Sequence, residues 1–226
     1  MPTAEPFDID EVFRRLRVAV AGLPKAAMFD LRDRGYSTPF EQLVGSLISA
    51  RTRDETTMAV CLRLFEVART PAEISKMDLV ELTMLLRGAG FPEPKARDLI
   101  ALSKSIVEDH GGVVPDTMAG LTSFRGVGPK IAALTLAVGF GVPAIAVDIH
   151  VHRITNRWGY VRASTPEKTM AALSAVLPQR YWVEINERLV PFGKAVCTGV
   201  APRCSTCALA TMCGRVGVRG VTEGYL

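Results

Sequence analysis

Four cysteines, Cys197, Cys204, Cys207 and Cys213, fall within 17 residues in the spacing C-x6-C-x2-C-x5-C. Whatever fold this chain adopts must bring that stretch around a common centre or leave four neighbouring thiols idle. Zinc ribbons and knuckles usually supply two short C-x2-C pairs across a longer loop. Here there is one short pair, with outer spacers of six and five residues. A chain wound that openly favours a cuboidal [4Fe-4S] cluster held by four thiolates. All-thiolate zinc, two disulfides or coincidence are the other readings that the spacing leaves. An oxidised cluster with its thiolates carries a charge of about −2, so the formal net charge of +4 overstates how basic the loaded chain is. A nucleic-acid partner therefore needs a local basic face, since net charge alone does not argue for one.

The compartment follows from the same residues. The segment Met1 to Asp10 has no basic-then-apolar layout of the secretory kind. The longest uncharged run, 131–147, is broken by Gly139, Gly141 and Pro143 and is short for a bilayer span. The expectation is an intracellular chain off the membrane, cytoplasmic and nucleoid-associated in a prokaryote, where cysteine clusters more often bind metal than pair. Cys61, in the apolar-rich segment Met58 to Val67, is expected to be a buried helix residue. With 226 residues and 48% hydrophobic content the chain can bury one sizeable core or two smaller ones.

The pattern along the chain is helical. Thr38-Pro39-Phe40-Glu41 and Thr70-Pro71-Ala72-Glu73 each place Thr at an N-cap, Pro at the first helical position and Glu at the third. Thr165-Pro166 repeats the first half of that signal. Spaced apolar residues predict further helices over 10–21, 54–68, 78–87, 94–109, 129–140, 148–158, 166–177 and 181–196. No segment alternates as a strand between hairpin turns. The predicted class is all-α.

A second segment carries chemistry. From Leu121, a short helix, the turn Gly126-Val127-Gly128 and a helix opening at Pro129 form a helix–hairpin–helix pattern. Glycines there allow a tight turn whose backbone N–H groups face outward, and the start of the second helix adds its positive end, a ready seat for a phosphate. Lys130 stands in that first turn, where the dipole disfavours a cation, and only a neutral amine is a nucleophile. Asp148 opens the next helix in Val147-Asp148-Ile149-His150. Taken alone, Asp148 reads as an N-cap and Lys130 as a phosphate contact or surface residue.

Taken together, Gly126-Val-Gly-Pro-Lys130, then Val147-Asp-Ile-His150, then the cysteine spacing resemble the endonuclease III family, the iron–sulfur helix–hairpin–helix DNA glycosylases. The resemblance runs from about Phe40 to Cys213. It implies Lys130 as catalytic lysine, Asp148 as catalytic aspartate, and Cys197, Cys204, Cys207 and Cys213 as cluster ligands. It also implies two helical domains: a six-helix domain over 32–142 holding the hairpin (about 117–140), and a cluster domain of 1–31 plus 143–226, with the active cleft at their junction. The implied activity is base excision by a bifunctional glycosylase and abasic-site lyase, acting as a monomer on damaged duplex DNA. A damaged base must be extruded from the stack to be reached. Lys130 then displaces an oxidised pyrimidine through a Schiff base, Asp148 steadies positive charge on the sugar, and β-elimination cuts the strand. DNA contacts are expected from Gly126, Val127, Gly128, His150, Arg153, Arg51, Phe91 and Arg203, with His152 as readily structural.

Some positions depart from that family. Arg51 stands where a polar Gln usually fills the gap left by the flipped base, and Phe91 where the opposing apolar wedge is usually Leu. The loop from Thr198 to Arg203 holds a single basic residue, which predicts weaker phosphate affinity unless Arg215 and Arg219 compensate. Adenine-mismatch glycosylases lack the lysine and need a glutamate on the early helix, yet 42–50 contains no carboxylate. A thymine- or uracil-mismatch monofunctional glycosylase, or a weakly active or non-catalytic DNA-structure binder on this scaffold, are the alternatives.

Overall fold

Two threonines set the helix starts as their local sequence requires. In this computed structural model, which describes residues 7–218, Thr38 Oγ1 accepts from Glu41 N (3.2 Å), while the Glu41 carboxylate accepts from Thr38 N (3.0 Å). Thr70 and Glu73 repeat this capping box, and Thr165 accepts from Lys168 N. A reciprocal cap satisfies backbone donors that would otherwise lack partners, typically worth about 1 kcal/mol. Among the described residues the regular structure is helical, apart from one isolated bridge between Arg87 and Ala89.

The chain divides into two compact units. One is Ala26–Ala146, so residues 26–31 and 143–146 fall on the hairpin's side of the boundaries expected from sequence. Its helices are α1 to α8 of the following series: α1 Ala27–Asp33, α2 Pro39–Ser49, α3 Asp54–Phe65, α4 Pro71–Ile74, α5 Leu79–Leu85, α6 Pro92–Asp109, α7 Met118–Thr122 and α8 Pro129–Leu134. Helix α2 is its hub, with every residue from Phe40 to Ile48 buried. The predicted helix over 129–140 is α-helical only to Leu134, and Thr135–Gly139 widens into a π-helix. There the Thr135 hydroxyl donates back to the Ile131 carbonyl (3.0 Å), and Gly139 lies so close to α2 that a Cβ would come within 2.9 Å of Pro39 Cα. Helix α1 has no sequence signal because Ala26 caps it with no side-chain bond; it is held by burial of Met28, Phe29 and Leu31.

The other unit joins the N-terminal segment through Lys25 to everything from Val147 onward. It contains α9 Ile9–Val20, α10 Ile149–Trp158, α11 Pro166–Val176 and α12 Glu184–Ala195. A 3-10 turn over Gln179–Tyr181 delays the last helix beyond its predicted start at 181. Helix α9 docks on α12, with Phe13 stacked on Tyr181 (3.9 Å between ring centroids) and Arg17 paired to Glu184 (2.7 Å). No helix among the described residues is long and apolar enough to cross a membrane.

Candidate functional site

The hairpin forms as its glycines require. Gly126 has φ +83°, a left-handed conformation that other residues reach only at a cost, and a Cβ there would lie 2.9 Å from Asp98 Oδ2. Asp98, on α6, also pairs with Arg125 (3.1 Å), so the turn is braced from beneath. Gly128 is different. Its φ of −91° suits any residue, and a Cβ would meet nothing within 4 Å. The fold does not need glycine at 128; the missing side chain leaves the start of α8 open to a ligand. Val127 between them is buried and donates its N–H to Phe124 O (3.1 Å). Lys130 is half-buried in the first turn of α8, and its amine has no hydrogen bond or ion pair among the described residues.

Asp148 is the N-cap of α10. Its Oδ1 accepts from His150 N (2.9 Å) and Val151 N (2.8 Å), while Oδ2 takes no hydrogen bond from the described residues. One oxygen serves the helix and the other remains available. Further along α10, Arg153 faces inward: Nε and Nη2 donate to Cys197 O (3.1 and 2.9 Å), and Nη2 also to Gly193 O and His150 Nδ1 (3.0 Å each). The His150 ring packs against Gly193, where a Cβ would come within 2.5 Å of Nδ1. These two side chains, expected as phosphate contacts, are engaged in tying α10 to α12 and to Cys197. His152 bonds Thr169 Oγ1 through Nδ1 (2.7 Å), consistent with a structural place.

Arg157, a turn after Arg153, escaped the sequence reading. It donates to Thr198 O (2.5 Å), Gly199 O (2.6 Å) and Cys197 Sγ (3.4 Å), so it grips the loop that leads out of the first cysteine. All four cysteines are free thiols and line one hollow with Arg203 and Arg215, about 390 Å³ of space counting what opens to solvent. Backbone N–H groups of Leu209 and Arg215 point at Cys207 Sγ and Cys213 Sγ (3.4 Å each). Burial pushes the Cys207 thiol up to about 11 and raises that of Cys213. Metal coordination would deprotonate such thiols. Among the described residues no three His, Cys, Asp or Glu side chains are grouped to hold a single ion. Four thiols around one hollow are the donor set of an all-thiolate metal centre. Arg203 is exposed at its rim, and Arg215 spends one donor on Ala210 O (3.3 Å). Arg219 lies outside the described residues. Cys61 is fully buried in α3 and its thiol is pushed up to about 12, the inert helix residue that its context predicts.

In the other unit, Arg51 and Phe91 stand on two loops in contact, with the Arg51 guanidinium 4.8 Å above the Phe91 ring. Sequence reasoning missed what lies under them. Lys95, only 7% exposed, donates to Ile48 O (2.6 Å), Ala50 O (2.6 Å) and Thr52 Oγ1 (3.0 Å). Lys95 occupies the apolar face that Leu99, Leu102 and Ile106 continue along α6, a placement that marks burial but not the groups it bonds.

Residues 44–179 match the family model described as HhH-GPD superfamily base excision DNA repair protein, which defines the class. Endonuclease III of Thermotoga maritima is 41% identical over 198 residues, covering 85% of this chain and 93% of its own. A longer relative, Endonuclease III homolog 2, chloroplastic, of Arabidopsis thaliana, is 39% identical over 77% of this chain, which spans 47% of that protein. Among solved structures, a trapped endonuclease III–DNA covalent intermediate with an estranged adenine superposes with TM-score 0.80 at 30% identity, over 91% of this chain and 93% of that one. The chain belongs to the endonuclease III family of base excision repair glycosylase/lyases.

Proposed function

We propose that this protein removes oxidised pyrimidines from duplex DNA and cleaves the resulting abasic sites, with Lys130 as nucleophile and Asp148 as its electrostatic partner. The observation that carries the reading is the Lys130 amine in the first turn of the hairpin helix, without a hydrogen bond or ion pair among the described residues, in a chain of this family.

The steps follow from these groups. The amides of Gly126 and Gly128, with the positive end of α8, hold a phosphate beside the target, while the Val127 N–H, expected to face outward, is taken by Phe124 O within the turn. Arg51 and Phe91 enter the space vacated when the nucleotide is extruded, and Arg203 contacts the backbone further along. The Lys130 Nζ lone pair forms a bond to C1′ as the bond from C1′ to the base breaks, and the base leaves with a proton. The free Oδ2 of Asp148 stabilises the positive charge that builds on the sugar. Ring opening gives a Schiff base. Loss of a C2′ proton then expels the 3′ phosphate, breaking the strand, and water releases Lys130.

Cys197, Cys204, Cys207 and Cys213 would hold a [4Fe-4S] cluster, which when bound cross-links the C-terminal loop rather than taking part in bond cleavage. The free thiols around one hollow and the N–H groups aimed at two of the sulfurs support that assignment. In a prokaryote the enzyme would work in the cytoplasm, on the nucleoid.

Incubation with duplexes carrying thymine glycol tests the reading. The expected product is a strand broken 3′ to the lesion without added alkali. Base release that leaves the strand intact until alkali is added would point instead to a monofunctional glycosylase.

A further inference from the structure

The four cysteines that line one hollow are not held alike. Arg157 Nη1 donates to Cys197 Sγ, and the backbone N–H groups of Leu209 and Arg215 donate to Cys207 Sγ and Cys213 Sγ, each at 3.4 Å. Cys204 Sγ takes no N–H donor from the described residues. Donors of this kind orient a metal ligand and offset the charge on its sulfur.

The same division runs through the backbone. Arg153 and Arg157 reach from α10 to the carbonyls of Cys197, Thr198 and Gly199. Arg15 of α9 donates to Ala208 O (3.2 Å) and Thr211 Oγ1 (3.1 Å), between the third and fourth cysteines. On either side of Arg215, Gly214 N and Val216 N donate to Trp158 O (3.2 Å) and Arg157 O (2.9 Å) at the end of α10. Arg215 itself has φ +50°, a conformation that persists only where the surroundings over-determine it, and its N–H meets Cys213 Sγ. Cys204 lies instead in one 3-10 turn, Cys204–Thr206, closed by local bonds: Cys204 N to Pro202 O, Thr206 N to Arg203 O and Cys207 N to Cys204 O. The flanking Arg203 and Ser205 are exposed. Short turns closed by exposed backbone bonds open at the low end of a protein's local stabilities. Cys207, at the far end of that turn, keeps its own N–H donor and the Arg15 tie on the next residue.

We propose that Cys204 is the corner from which a [4Fe-4S] cluster in this chain gives up iron, so that oxidation makes Cys204 the one cluster thiolate that electrophiles reach. An outer-sphere oxidant such as ferricyanide takes one electron from the core and becomes ferrocyanide. The oxidised core sheds one ferrous ion to water and remains as [3Fe-4S] on Cys197, Cys207 and Cys213, its charge lower by the two units that the ion carries away. The iron–sulfur bond to Cys204 breaks with its electron pair left on sulfur. That thiolate, on an exposed turn, attacks iodoacetamide, forming a carbon–sulfur bond and expelling iodide. The inference rests on the cluster assigned under the proposed function.

The test uses the full-length, iron-loaded wild-type protein, with ferricyanide added in steps while iodoacetamide is present. Electron paramagnetic resonance follows the [3Fe-4S] signal, and digestion with mass spectrometry reads the label on each cysteine. Without oxidant none of the four should be labelled. As the signal grows, Cys204 should carry at least about fivefold more label than Cys197, Cys207 or Cys213, because the thiolate that is both free and accessible is the one that reacts. Cys61, fully buried in α3, reports opening of the whole chain and should stay unlabelled. Equal labelling of the four, or first label on any of the other three, overturns the inference. So does label that reaches Cys61 together with them, and so does an iron-loaded protein that ferricyanide leaves without signal or label. A protein whose cysteines hold zinc, or hold no metal, overturns the cluster assignment, and this inference with it.

Discussion

Asp148 caps α10 with one oxygen, and the role proposed for it in the reaction uses the other, so substitution can separate the two. Oδ1 caps α10, and Asn caps a helix about as well as Asp. Asp148→Asn should therefore melt within about 0.5 kcal/mol of wild type yet cleave abasic DNA about a hundredfold more slowly or worse, having lost its charge. Asp148→Ala should lose activity and in addition about 1 kcal/mol of stability, read by denaturant unfolding. An active Asp148→Asn protein would leave this residue a cap and nothing more. The threonine caps and the four cysteines were legible from sequence because their partners lie within a few residues. Lys95 and Arg153 were not, because their acceptors are about 45 positions away: Ile48 and Ala50 for one, Cys197 for the other. An arginine shortly after Asp148 reads as a phosphate contact until the fold supplies carbonyls for it.

The two glycines of the hairpin differ as elements of the turn. Gly126→Ala forces a side chain into left-handed backbone and against Asp98, and should destabilise the protein by about 1–2 kcal/mol. Gly128→Ala meets open space, so its melting should stay within about 0.5 kcal/mol of wild type while DNA affinity falls severalfold. Binding and melting measured on both variants would separate the turn's shape from its function. Helix α6 carries a pH signature. Burial pushes Lys95 down to about 8, with the neighbouring Cys61 sulfur acting weakly the other way. Between about 8 and the ordinary lysine range the unfolded chain therefore binds a proton that the native state has released. This group makes the protein more stable as pH rises through that window and contributes no slope below it. Lys95→Met should abolish that rise, visible as denaturant midpoints that no longer climb from pH 8 to 10 relative to wild type. The sequence disclosed α6 as a helix but not this property, since the dry surroundings of its lysine are built by α2 and the loops.

At the scale of the whole chain, the cysteines mark the family while the proposed chemistry rests on Lys130 and Asp148. Arg153 and Arg157 connect the helix capped by Asp148 to the loop of the first cysteine, so loss of the metal should be felt along α10. The loaded protein should contain iron and acid-labile sulfide, four of each per chain. Removing them with a chelator and an oxidant should raise hydrogen exchange over 197–213 and in α10, and leave α2 and α6 protected. Zinc in place of iron would refute the cluster. The claim most directly open to measurement is the covalent one. Reaction with an abasic-site duplex in borohydride, followed by digestion and mass spectrometry, should return one DNA-linked peptide, modified at Lys130. Lys130→Gln should bind the duplex and give no adduct. A linkage through any other amine, or an adduct that survives Lys130→Gln, would contradict the mechanism.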